Sequence, residues 1–283
     1  MLPATDKPSQ FVNGKPSEHL PISDRATAYG DGCFTTIAKA SGVIQLLEAH
    51  IGRLQKGCVT LKIDFYDWDM LRQQVVDVSA AEADVVIKVL ISRGSGGRGY
   101  STVGADNPVS VISLHPFPKH YGRWASEGIS ISLNSVRLSK QPLLNGVKHL
   151  NRLEQVLAKN HVNDSVQEQI ICDTDDMIVE VSSANIFWKL GKQWFTPDLS
   201  FSGVEGVMRN QWLAIFEQCG MKVNIVRAHY SVLNYVTDMF ICNSLMPAVP
   251  VNKLCLNSKE SISIASDIAL LQQMMTKSLE ANA

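Results

Sequence analysis

Two prolines and a glycine interrupt the chain at His115-Pro116-Phe117-Pro118-Lys119-His120-Tyr121-Gly122. Neither proline has an N–H to give a sheet, and each pushes its predecessor out of the helical region, so regular structure is expected to stop there. A chain of 283 residues is longer than one ordinary domain. The expectation is therefore a smaller N-terminal domain over 1–115, a linker over 116–124 and a larger domain over 125–283.

In the first half, Ile22-Ser23-Asp24-Arg25-Ala26-Thr27-Ala28-Tyr29-Gly30-Asp31-Gly32 is a turn-rich approach to strand-like runs at Phe34–Ala38 and Val43–Leu47. The Ser41-Gly42 region between those runs predicts a hairpin. A helix is expected from Glu48, with Ile51, Leu54 and Cys58 on one side and His50 and Arg53 sharing a face by i, i+3 spacing. Arg53 is either a solvated, salt-bridging residue or a planar fork for phosphate. A second helix is expected over Asp69–Ala80 and buried strands over Val85–Ile91 and Val109–Leu114. Between these strands Ser92-Arg93-Gly94-Ser95-Gly96-Gly97-Arg98-Gly99-Tyr100-Ser101 joins flexible backbone to two arginines. It lacks a Walker ending; it reads either as mobile surface or as a lid that binds substrate carboxylates.

In the second half, hairpins are expected for Ile170–Asp173 with Met177–Val181, and for Asn185–Trp188 with Trp194–Phe195. Glu180 stands inside an otherwise apolar strand. By alternation it faces solvent; if buried, it needs a cation or N–H partner. Gly203-Val204-Glu205-Gly206-Val207-Met208-Arg209 opens a helix carrying Trp212, Leu213, Ile215 and Phe216 and closed by Gly220. Backbone N–H groups at such a helix start suit a phosphate, although ordinary turns look alike. Around Lys148, the residues Leu150, Leu153, Val156, Leu157 and His161 recur at helical spacing, which predicts an amphipathic helix with Lys148 just before or within its first turn. The positive end of the helix dipole disfavours an ammonium there and favours a neutral nucleophilic amine; the alternative is a solvated surface lysine.

Composition narrows the function class. At 45% apolar residues the chain can bury a sizeable core. A formal net charge of −1 without a basic block argues against nucleic-acid and membrane-surface partners and leaves small-molecule chemistry. Cys33, Cys58, Cys172, Cys219, Cys242 and Cys255 are scattered without metal-ligand spacing, so reduced thiols and no metal are expected. No basic leader with an apolar core and no apolar run of about 18 residues is present, which points to the cytoplasm.

Taken in order, Arg53, Lys148, Glu180, Gly206-Val207-Met208-Arg209 and Asn243-Ser244 resemble the signature of the fold type IV pyridoxal-phosphate enzymes, which include the branched-chain and D-amino-acid aminotransferases. Three longer blocks look like the aminodeoxychorismate lyases of that group: Asp24–Thr27 with Gly30–Thr36, Ile91–Ser101, and Lys148–Leu157. The resemblance runs from about Ile22 to about Val251. It implies an α+β, two-domain, D-amino-acid aminotransferase-like fold with pyridoxal 5'-phosphate in the interdomain cleft, and a homodimer. It implies that Lys148 is catalytic and carries the cofactor, and that Glu180 pairs with the pyridine nitrogen. Arg53, the amides of Val207 and Met208, and Asn243 with the Ser244 hydroxyl would hold the phosphate. Relatives commonly carry threonine at Met208 and Gly-Thr at Asn243-Ser244, and some carry a tyrosine at Leu153. Tyr29, Thr36, Arg93 and Arg98 are the candidates for substrate binding, the arginines for its carboxylates. The implied activity converts 4-amino-4-deoxychorismate to p-aminobenzoate and pyruvate. The nearest alternative is an aminotransferase of the same fold. A non-catalytic cofactor-binding protein is disfavoured, since simple binding needs no electron sink.

Overall fold

The computed structural model describes residues 9–160, 165–256, 261–264 and 266–281. The chain divides into two units. One holds the described residues up to Pro118 together with Val147–Asn151; the other holds Lys119–Gly146 and the described part of Arg152–Ala281.

The first unit is built on β1 (Gln10–Val12), β2 (Lys15–Pro16), β3 (Gly32–Ala40), β4 (Val43–Ile44), β5 (Val85–Ser92) and β6 (Val109–His115), in the order β2-β1-β6-β5-β3-β4. Its helices are α1 (Arg25–Tyr29), α2 (Leu47–Leu61) and α3 (Trp68–Val78). Ser41 and Gly42, at φ 50° and 82°, make the turn that joins β3 to β4, as the Ser-Gly signal predicts. Strand alternation then sorts the side chains. Cys33 and Ile37 of β3, with Ile87, Val89 and Ile91 of β5, pack against Ile51, Leu54 and Cys58 of α2 and Leu71 and Val75 of α3. Phe34 and Thr36 take the opposite face, paired across to Leu90 and Lys88.

The second unit contains α4 (Tyr121–Glu127), β7 (Ile129–Leu138), a 3-10 turn at Pro142–Leu144, α5 (Leu153–Lys159), β8 (Glu168–Asp173), β9 (Ile178–Val181), β10 (Asn185–Leu190) and β11 (Gln193–Pro197). It continues through α6 (Val207–Gln218), β12 (Val223–Val226), a 3-10 turn at Tyr230–Tyr235, β13 (Asp238–Asn243), β14 (Met246–Cys255), β15 (Ile262–Ser263) and α7 (Ala269–Ala281). The strands form one mixed sheet, β12-β11-β10-β13-β14-β7-β8-β9, with β15 beside β14. Phe187 and Phe240 stack with centroids 4.9 Å apart, and Trp212 and Phe216 of α6 close over them. Gly220, at φ 67°, follows the end of α6 as the sequence predicts.

Two expectations change. Residues 116–124, read as a linker, run into α4, because beyond Pro118 nothing prevents helix formation and Tyr121 and Trp124 pack on the second unit's core. The helix expected around Lys148 begins only at Leu153. Leu153, Val156 and Leu157 face outward at 76%, 53% and 55% exposure, and Ala158 is the buried residue; His161 lies outside the described residues. Among the described residues no helix is long and apolar enough to cross a membrane.

Candidate active site

Lys148 is held by sheet pairing rather than by a helix end. The Phe34 N–H donates to the Lys148 carbonyl at 2.9 Å, the Leu150 N–H donates to the Gly32 carbonyl at 3.0 Å, and His149 bridges antiparallel to Cys33. Val147, 4% exposed, anchors the segment in the first unit's core. The backbone is therefore pinned on both sides of Lys148, and its Nζ lies 4.7 Å from the centroid of the Phe34 ring. α5 begins five residues too late for its dipole to act on this amine, since that effect fades within the first turn.

On the other face of β3, Thr35 meets the His50 and Arg53 pair of α2. The Thr35 hydroxyl lies 2.6 Å from His50 Nδ1, and Arg53 Nη2 donates to the same Thr35 oxygen. Arg53 can only donate, so the Thr35 oxygen accepts from it, while the direction of the Thr35–His50 hydrogen bond follows the imidazole tautomer. Burial lowers the Arg53 pKa to about 10, with Cys33 acting in the opposite direction. Its buried Nε has no hydrogen-bond partner, which marks a cation arranged for an anion outside the protein's own side chains. Burial, and then the Arg53 charge, push the His50 pKa well below 6.5.

This arrangement makes stability depend on pH. Between its lowered native value and 6.5, His50 binds a proton in the unfolded chain but not in the folded one, so stability is lost as pH falls through that window. Below pH 6.5 the parent protein should lose about 1.4 kcal/mol per pH unit more than His50→Gln. Denaturant unfolding of both proteins from pH 7.5 to 5.5, in about half-unit steps, checks this; parallel profiles would refute the neutral assignment.

In the second unit Glu180 is buried, 5% exposed, and solvent does not satisfy it. The Val204 N–H donates to Oε2 at 2.9 Å and Gln155 Nε2 to Oε1 at 3.2 Å. Arg152, whose pKa is lowered by burial and drawn back up by Glu180 and Glu154, adds a positive field. The expectation of exposure by alternation fails because both faces of β9 are covered: Ile178 joins one apolar core and Val179 another. Gly203, at φ 90°, carries the chain past this strand where a Cβ would come 2.4 Å from Val179.

Val207 and Met208 open α6 behind Gly206, which provides no side-chain cap, so the first amides of a twelve-residue helix remain for a ligand. Gly206 is required sterically, because a Cβ would fall 2.0 Å from Asn185 Oδ1. The Met208 side chain is buried, leaving the backbone as its polar contribution. Asn243 turns inward on its own loop: Oδ1 accepts from the Leu245 and Met246 amides at 2.8 Å each, and Nδ2 donates to the Ser183 carbonyl at 3.0 Å. Its side chain shapes the turn that presents Ser244 and is not itself arranged for phosphate.

Arg93 also departs from expectation. Its Nε donates to Asp31 Oδ2 at 2.8 Å and Nη2 to Oδ1 at 3.1 Å, while Nη1 and Nη2 reach the Lys62 and Leu61 carbonyls at 2.6 Å each. Buried, with its fork filled, Arg93 ties the end of α2 to Asp31 and is not available to a substrate carboxylate. Burial opposes ionisation of Asp31, but hydrogen bonds from Arg93 and Arg25 prevail and hold its pKa down. Arg25 extends the network to the glycine-rich loop, donating to the Gly99 and Ser101 carbonyls at 3.0 and 3.1 Å. Arg98 and Tyr100 lie exposed on that loop, the Tyr100 ring 5.6 Å from Tyr29. Thr36 stands half-buried on the Phe34 face.

The family model for amino-transferase class IV matches residues 32–254. The chain belongs to the class IV aminotransferase family. Among class IV relatives, an aminodeoxychorismate lyase of Vibrio harveyi is 38% identical over 243 residues, covering 86% of this chain and 90% of the relative. The crystal structure of 4-amino-4-deoxychorismate lyase from Pseudomonas aeruginosa matches with a TM-score of 0.87 at 34% identity, over 95% of this chain and 97% of that one. The Escherichia coli branched-chain amino acid aminotransferase matches at 0.83 over 95% and 93% of the chains, but at 19% identity it shows the shared fold alone. The α+β, two-unit architecture is thus that of the class IV family.

The residues present fit the pyridoxal phosphate implied by class IV membership. Arg53 has an unmatched buried donor, α6 has an uncapped amino end, and Glu180 is a buried carboxylate with acceptor capacity beyond its two bonds. Thr35, Asp31, Arg25 and Gln155, which join this class IV framework, carry no local signal in the sequence. The partners cited for these four residues lie 18 to 74 positions away, from the Thr35–Arg53 pair to the Arg25–Gly99 pair.

Proposed function

We propose that this chain is a pyridoxal-phosphate-dependent aminodeoxychorismate lyase that converts 4-amino-4-deoxychorismate to p-aminobenzoate and pyruvate, a step of folate biosynthesis, as a cytoplasmic homodimer. What carries the choice of lyase over aminotransferase is the 38% identity to the Vibrio harveyi lyase along nearly the whole of both chains. When bound, the cofactor supplies an electron-withdrawing ring that weakens the C–H bond next to the substrate nitrogen.

The chain's own residues do the rest. Lys148 would hold the cofactor covalently, and its Nζ, when free, would remove the C4 proton of the substrate. The C3–O bond breaks, the ring becomes aromatic, and Lys148 returns the proton to the methylene carbon of the departing enolpyruvyl group. Glu180, held by the Val204 N–H and Gln155, would favour a protonated ring nitrogen on the cofactor. Arg53, the Val207 and Met208 amides and the Ser244 hydroxyl hold the phosphate. Tyr29, Thr36 and Arg98 remain candidates for contacts to substrate.

The deciding experiment mixes the holoenzyme with 4-amino-4-deoxychorismate and follows p-aminobenzoate and pyruvate together, beside a mixture with D-alanine and 2-oxoglutarate. Equimolar p-aminobenzoate and pyruvate support the lyase. Amino-group transfer without either product moves the function to an aminotransferase while the fold and cofactor assignments stand.

A further inference from the structure

Lys88 is the one charged residue of β5, in a strand that otherwise reads Val, Val, Ile, Val, Leu, Ile, Ser. Its cross-strand partners are Thr36 on β3 and Ser113 on β6, so it leaves the sheet on the face of Phe34 and Thr36, opposite to α2. Its Nζ lies 5.0 Å from the centroid of the Phe34 ring, and Lys148 Nζ lies 4.7 Å from the same centroid. The two distances cap the separation of the two ammonium groups at about 10 Å.

The fold does not explain this cation. Lys88 is exposed, and among the described residues no carboxylate pairs with it, whereas Arg25, Arg72, Arg93, Arg137, Lys140, Lys159, Lys189 and Arg227 all have acidic partners. A β-branched residue would serve the strand better. Its field is felt on this face: His115, two residues beyond Ser113, has its pKa lowered by burial and then by Lys88.

We propose that Lys88 binds a carboxylate of the substrate and so sets the reacting C–H bond against Lys148. This assignment rests on the lyase reading, whose substrate carries one carboxylate on the ring and one on the enolpyruvyl group. By ordinary bond lengths the ring carboxylate carbon stands about 4 Å from C4. An ion pair of about 3 Å at Lys88 and an approach of about 3 Å at Lys148 then span the two lysines within their cap. Arg93, with its fork filled by Asp31, leaves this need open.

The test compares holoenzyme of the parent, Lys88→Met and Lys88→Arg. Steady-state kinetics with 4-amino-4-deoxychorismate are paired with equilibrium binding of p-aminobenzoate and of pyruvate, read by tryptophan fluorescence. Lys88→Met should raise KM about 10- to 100-fold, with a smaller change in kcat, an unaltered cofactor absorbance band and an unchanged unfolding temperature; Lys88→Arg should restore most of the loss. Weakened p-aminobenzoate binding assigns the ring carboxylate to Lys88, and weakened pyruvate binding assigns the enolpyruvyl one. An active parent matched by Lys88→Met in KM and in both affinities overturns the assignment alone. A parent that makes no p-aminobenzoate overturns the lyase reading and this assignment with it.

Discussion

Lys148→Ala yields a folded protein that makes neither p-aminobenzoate nor pyruvate, with turnover lowered by at least about four orders of magnitude. The size follows from the two tasks given to one amine, covalent attachment and proton transfer, neither of which a methyl group can perform. The fold survives because the segment is held through backbone groups that alanine retains: the Lys148 carbonyl on the Phe34 N–H and the Leu150 N–H on the Gly32 carbonyl. The structural loss includes the contact over the Phe34 ring, about 0.5–1 kcal/mol. Product assays and thermal unfolding, run side by side, check both halves; turnover within tenfold of the parent would remove Lys148 from the chemistry.

Glu180→Gln separates charge from structure. The amide oxygen of the replacement can accept the Val204 N–H in place of Oε2. Its NH2 group then faces Gln155, whose buried Oε1 lacks a partner and, after a flip of that amide, accepts from it. The number of buried unsatisfied groups does not rise, because the flipped Gln155 Nε2 takes the place of an Oε1 that already lacked a partner, so stability should change by less than about 1 kcal/mol. Activity should still fall about 100- to 1,000-fold, the cost typical of removing one preorganised electrostatic contact. Glu180→Ala should behave differently, losing activity and also about 1–3 kcal/mol of stability, because the Val204 N–H is then buried without an acceptor. Equal activity in the parent and Glu180→Gln would show that the negative charge is not used.

Much of the framework was legible before the structure. The Ser41-Gly42 pair has few uses other than a tight turn between strands, and the apolar spacing through Trp212, Ile215 and Phe216 with Gly220 beyond it describes α6 closely. Such features are local: the residues that specify the element are those that form it. Lys148 shows where local reasoning stops. Leu150, Leu153, Val156 and Leu157 have helical spacing, yet the chain before Leu153 stays extended because β3 offers hydrogen-bond partners that a periodicity count cannot see. Arg93 is similar, since its partner Asp31 is 62 positions away and converts a candidate anion-binding residue into a structural tie.

By itself, the sequence determined the class of fold, the order of the chemistry-bearing residues along it and the glycines that mark its turns, because these depend on backbone preference and short-range periodicity. Tertiary structure alone decided that Glu180 is buried with an N–H donor, that Asn243 and Arg93 serve the framework, that Arg53 keeps an unmatched donor, and that Lys88 shares the Phe34 ring with Lys148. The physical reason is common to all of them. Desolvation and hydrogen-bond satisfaction are properties of a place, set by whichever groups distant segments bring there, and the same side chain becomes a site residue or a structural tie according to whether its bonds are already made.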